Sequence, residues 1–225
     1  SIGGLSGPIY LPETRPDDDA VIQKNIDLLW ALCKENNIAC RIHNNVLADV
    51  IDYLKKESRY ADLLVVSSQL FYENMGEERQ QDYLKDVLHK LDCPVVLIPE
   101  HYGFPEQVII AFDGSASSAF ALKQFAYLFP EFKSLKTVLV YASQDSDFPD
   151  LDMVKEYTKN HFTNISFVKL DIDPKKYFET WLLENKNAML VAGAYSRSLL
   201  SEALKKSFIN DIIEDHKIPI FSTHK

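Results

Sequence analysis

The chain has 225 residues, of which 46% are hydrophobic and 25% charged, the composition of a globular protein long enough for one large domain or two small ones. A formal net charge of −9 and an isoelectric point near 5.1 argue against a surface built for nucleic-acid phosphates. No run reaches the roughly 18 apolar residues that span a bilayer, and no basic-then-apolar leader opens the chain, so a cytoplasmic location without membrane contact is expected.

Residues Ser1 to Asp19 are rich in Gly, Pro and Asp, and PIYLP is their one short extended candidate, either a strand or a loop after one. A helix is predicted from Asp18 or Asp19 to about Glu35. Its apolar face is Ile22, Ile26, Leu29, Trp30 and Cys33, and Asn36 and Asn37 suit its end. Ala39 to His43 reads as a strand and Val46 to Glu57 as a helix with Val46, Leu47, Val50, Ile51 and Leu54 inward. Asp62 to Ser67 reads as a buried strand. A polar loop over Ser68 to Arg79 carries Glu73, Glu77 and Glu78, acids that would repel a triphosphate. Phe71 and Met75 in the same loop suit either an interface or a local cluster. A helix around Gln80 to Leu91 then leads to Pro94 and the strand VVLIP, and Glu100 to Glu106 is a linker.

The second half opens with VIIAFDGSASSAFALKQFAYLF. Here a strand runs into Asp113 and Gly114, a serine caps the next helix, and Ala121, Leu122, Phe125 and Phe129 form the buried stripe that Pro130 ends. A strand at Thr137 to Ala142, an acidic loop at Ser143 to Asp150 and a helix ending near His161 follow. After them come a strand at Ser166 to Leu170 and a helix carrying Tyr177, Phe178, Trp181 and Leu182. The strand from Met189 ends at Gly193, a long helix runs to about Asp215, and IPIFST is the last strand. Strands that alternate with helices in this way make a parallel, helix-covered sheet.

The halves repeat each other. DVIDYLKKESRYADLLVVSS matches KYFETWLLENKNAMLVAGA, and LDCPVVLIPE matches HKIPIFSTHK, with Pro94 and Pro219 separated by 125 positions. At that offset the counterpart of the strand from Gln107 would precede Ser1, so the first half is expected to lack its opening strand and helix.

Cys33, Cys40 and Cys93 are odd in number and lack C-x-x-C spacing, so they read as reduced and structural. The six histidines are scattered, and no metal site is expected. No arrangement of nucleophile, base and orienting group is visible, so no catalytic residue is assigned.

The FDGSASS turn and the segment from Gly193 resemble the universal stress proteins. In that family a strand ends in Asp before a Ser-rich turn, and a later loop reads G-x-x-G, nine residues, then G-S or G-T. Here the second motif runs Gly193, Ala194, Tyr195, Ser196, then Arg197 to Lys205, then Lys206 and Ser207, so two of its three glycines are replaced. The resemblance spans most of the chain. It implies an α/β fold of two tandem Rossmann-like units with parallel five-stranded sheets, residues 1–100 (incomplete at the start) and 107–225. The family's dimers imply an internal pseudo-dimer of the halves and leave a homodimer as an option, with the protein partner unspecified. The cofactor implied is ATP, held weakly if at all, and in the second half only.

By this resemblance Asp113 sits near the adenosine, although an Asp at a turn can equally serve only to accept backbone N–H groups, and Gly114 and Ser115 share that choice. Gly193 suits either a close phosphate approach or close packing at a strand end. Ser196 and Lys206 add side chains where the family has glycine. Arg197 and Lys206 are either phosphate partners or solvated cations, and Ser207 ends the motif. The function implied is a stress-response binding and regulatory protein without catalysis. An ATP-dependent switch is the alternative, and an ATP-hydrolysing enzyme rests on fold analogy alone.

Overall fold

The computed structural model describes residues 16–42, 50–67, 91–99, 103–144, 146–172, 174–185, 187–193 and 218–223. Two compact units divide the chain, Ser1–Ala48 and Asp49–Lys225.

The first unit contains helix α1, Pro16–Glu35, close to the range expected. Asn37 ends it with φ of 55°. The Ile38 N–H donates to the Cys33 carbonyl at 2.8 Å and the Asn37 N–H to that of Lys34 at 3.3 Å, a Schellman turn with asparagine in the left-handed position. The expected apolar face is not buried along its length. Cys33 is buried and Ile26 half-buried, but Ile22, Leu29 and Trp30 are 42%, 46% and 48% exposed. Among the described residues the unit supplies only segment 36–42 besides the helix, too little chain to cover such a stripe. The strand expected at Ala39 to His43 is also not seen. Residues 38–42 have no regular structure, because a strand requires a hydrogen-bonded neighbour and no described strand pairs with them; His43 lies outside the described residues.

The second unit is built on one seven-stranded sheet in the order β1-β2-β7-β6-β3-β4-β5. The strands are β1 Leu64–Ser67, β2 Val95–Ile98, β3 Gln107–Ala111, β4 Lys136–Ala142, β5 Ile165–Leu170, β6 Ala188–Gly193 and β7 Ile220–Thr223. Strands β7, β6, β3, β4 and β5 are mutually parallel, the five-stranded sheet expected of the second half. β1 and β2 are parallel to each other, and β2 meets β7 antiparallel, so first-half strands extend the same sheet. The registers repeat: Leu64 pairs with Val95 as Leu190 pairs with Ile220. The expectation of a buried strand at 62–67 is corrected at Val65. It is 56% exposed, on the outermost of the described strands.

Helices α2 (Val50–Ser58), α3 (Ala116–Leu128), α4 (Leu151–Thr158) and α5 (Pro174–Glu184) cover the sheet, with a 3₁₀ turn at Pro130–Ser134. Period-two alternation of apolar side chains sends β3 residues to both faces. Val108, Ile110 and Phe112 join Leu122 and Phe125 of α3 and Val154 of α4. Ile109 and Ala111 join Phe178 and Leu182 of α5, with Leu54 of α2 against the same cluster. The stripe expected on α3 is present, and Phe125, wholly buried, meets the rings of Phe129, Phe132 and Phe221 at centroid distances of 5.2, 5.9 and 5.5 Å. The expected long helix before Asp215 and the expected helix near residues 80–91 fall outside the described residues, apart from Leu91.

Candidate functional site

Strand order reverses between β3 and β6: the chain proceeds from β3 to β4 and β5 on one side, then returns to place β6 and β7 on the other. The carboxyl ends of β3 and β6 therefore border the crevice where open α/β sheets bind ligands. Asp113, Gly114 and Ser115 stand at one lip of it and Gly193 at the other.

The turn after β3 is held by its own polar groups. Ser115 N–H donates to Asp113 Oδ1 at 2.9 Å, closing an Asx turn, and Gly114 has φ of +76°. Ser115 has extended backbone angles and is the N-cap of α3: its Oγ accepts from the Ser118 N–H at 3.1 Å. The Ser118 hydroxyl, fully buried, donates to the Ser115 carbonyl at 3.0 Å and accepts a longer contact of 3.4 Å from the Asp113 N–H. Of the two sequence readings of Asp113, the backbone-accepting one is thus realised at one carboxylate oxygen. Within the first turn of α3, Ala116 and Ser117 have no N–H partner among the described residues, so the helix keeps two donors and its positive dipole end at the crevice.

Gly193 is a packing glycine. A Cβ built there would lie 2.5 Å from the Ser117 carbonyl carbon, 2.7 Å from its oxygen and 2.8 Å from the Ser118 nitrogen. All three are backbone atoms that cannot swing aside. The missing side chain lets the first turn of α3 sit directly on the end of β6, so the close approach glycine permits is used by the protein's own backbone.

Residues 146–150 of the acidic loop pack over the same end of the sheet. Phe148 meets Phe112, just beyond β3, at 6.0 Å with rings nearly parallel. It meets Tyr141 of β4 at 5.5 Å and Phe167 of β5 at 6.3 Å. A Cβ on Gly114 would fall 2.7 Å from the Pro149 ring, so Pro149 lies on the Asx turn. Asp147 and Asp150 flank this Phe-Pro pair and add negative charge beside the turn. Sequence reasoning marked the loop as acidic but missed its role. The available signal was a Phe-Pro pair within an otherwise polar segment.

Four of the eight expected site residues, Ser196, Arg197, Lys206 and Ser207, lie outside the described residues. The other four converge on the crevice. Among the described residues no group of three or more His, Cys, Asp and Glu side chains is placed to hold a metal, and no helix is long and apolar enough to cross a membrane.

No family model matches the sequence, and no curated protein sequence is significantly similar to it. Solved structures are similar in fold. A universal stress protein from Archaeoglobus fulgidus DSM 4304 superposes with a TM-score of 0.64 at 15% identity, covering 96% of this chain and 82% of that one. A chain provisionally assigned to the universal stress proteins, from Pseudomonas aeruginosa UCBPP-PA14, superposes with a TM-score of 0.50 at 9% identity, covering 94% and 80%. The fold is that of the universal stress proteins.

Proposed function

We propose that the chain is a stress-response binding and regulatory protein of universal-stress-protein type that performs no catalysis and holds adenine nucleotide weakly, in its second half. The observation that carries this reading is the close packing at the ends of β3 and β6. Phe148 and Pro149 lie over the end of β3, and α3 backbone fills the space Gly193 leaves. A nucleotide entering over the end of β3 would compete with an aromatic cluster worth about 0.5–1.5 kcal/mol per ring pair beyond its buried area. It would also enter beside carboxylates. The sequence supports the same conclusion, since Ser196 and Lys206 stand where a phosphate loop of this type carries glycine.

Isothermal titration with Mg-ATP tests it, with a dissociation constant weaker than about 10 μM expected. Tighter binding by the purified protein would sink the reading. In that event the ATP-dependent switch stands, and the two N–H groups at the start of α3 that have no partner among the described residues are the observation in its favour. Phosphate release measured alongside, with Asp113→Ala as control, separates a switch from an ATP-hydrolysing enzyme.

The tandem reading is supported by the β2–β7 pairing. Val95 pairs with Ser222, Val96 with Phe221 and Leu97 with Ile220, and exchanging each residue for its counterpart 125 positions away returns the same three pairs. That is the self-complementary pattern of a two-fold interface, formed here within one chain. Residues 1–100 and 107–225 are accordingly proposed as the two halves of a pseudo-dimer.

A further inference from the structure

Two of the cysteines are brought together at the end of α1. Cys33 lies in the helix's last turns, and after the Schellman turn at Asn37 the chain brings Cys40 to the same hollow. The Cys33 side chain lies close enough to the Cys40 thiol to help hold it protonated. Both line a mostly apolar hollow of about 560 Å³ together with Trp30, Lys34, Ile38 and Ala39. Cys33 is 9% exposed and Cys40 more open, so a reagent entering the hollow meets Cys40 first.

We propose that Cys33 and Cys40 form a thiol pair that small-molecule disulfides such as oxidised glutathione convert reversibly to an intramolecular disulfide. This inference is independent of the nucleotide reading. The Cys40 thiolate attacks one sulfur of glutathione disulfide, forms a mixed disulfide and expels one glutathione thiolate, which takes up a proton. Cys33 then gives its proton to solvent, its sulfur attacks the Cys40 sulfur, and the second glutathione leaves. Two protein thiols and one glutathione disulfide become one protein disulfide and two glutathiones, two electrons passing to glutathione. The bond would staple segment 36–40 to the last turns of α1. Desolvation, and then the contact with Cys33, raise the Cys40 thiol above its ordinary value of 9.0, so the first step is slow near neutrality and accelerates with pH.

The test equilibrates the full chain with glutathione buffers of increasing oxidised fraction under anaerobic conditions, quenches with acid, alkylates and maps the peptides by mass. The expected result is a Cys33–Cys40 cross-linked peptide and a fall from three alkylatable thiols to one, Cys93, with reversal by excess glutathione. Cys33→Ser is expected to accumulate one glutathione on Cys40, because the resolving thiol is gone. The rate is expected to go on rising through pH 9. Full alkylation of Cys33 and Cys40 in the most oxidising buffer overturns the proposal, as does a cross-link to Cys93 or between two chains. A wild-type protein that stops at the mixed disulfide overturns it equally.

Discussion

At the residue scale, the two glycines at the crevice differ in what a side chain would meet. Gly193→Ala drives a methyl into backbone of α3, which moves only with the helix, and should cost about 1–3 kcal/mol, read as a lower urea midpoint. An unchanged midpoint would mean that α3 does not sit on β6 as described. Ser115→Ala removes the cap oxygen from the Ser118 N–H and should cost about 1 kcal/mol, while Ser115→Asp should recover most of it. Cys93 supplies a pH signature. Burial, with a smaller contribution from Asp92, pushes its thiol above 9.0, so the folded state holds this proton more tightly than the unfolded chain. Its stability contribution is full below pH 9 and is lost as pH rises from there through the raised folded value. Cys93→Ala should flatten the decline in stability above pH 9. A decline of unchanged slope would place the loss on other groups.

At the element scale, the strand-end cluster around Phe148 and the joint strand β7 are the parts most open to challenge. Phe221 is fully buried between Phe125 and Phe129 while its backbone bridges β2 and β6, so Phe221→Ala should cost about 3–5 kcal/mol and lower one cooperative transition. Two resolved transitions would show that the first-half strands unfold apart from the rest. Most of the second-half elements were legible in the sequence. A period of two along VIIAF, a capping serine, and Pro130 after an apolar stripe are local signals, and they gave β3 and α3 nearly to the residue. Three findings were not legible, each because it depends on a distant partner. The apolar face of α1 looks like a core stripe to any periodicity argument, yet nothing in pattern says what covers it. Ala39 to His43 has strand composition, but pairing decides. The Asp113 and Gly193 pattern points to the ends of β3 and β6, while the packing of Phe148 and Pro149 beside the first and of α3 on the second comes from segments up to about 80 residues apart, beyond any local motif.

At the scale of the whole molecule, the seven-stranded sheet makes the joint between the halves a matter of main-chain hydrogen bonds as well as apolar packing. Cleavage within the 100–106 segment should therefore leave residues on either side associated in native buffer, co-eluting on a sizing column. Fragments that separate without denaturant would remove the pseudo-dimer from consideration. The same seam has a further consequence. A two-fold contact between separate chains loosens on dilution, whereas here β2 is tied through residues 99–106 to the half that carries β7, which holds the partners at an effective concentration on the order of millimolar or above. The thermal midpoint should not move across a hundredfold change in protein concentration. On the proposed pseudo-dimer, an intact half on one molecule should rescue a damaged half on another poorly, because its own tethered partner outcompetes it; efficient rescue on mixing two damaged variants would count against the seam.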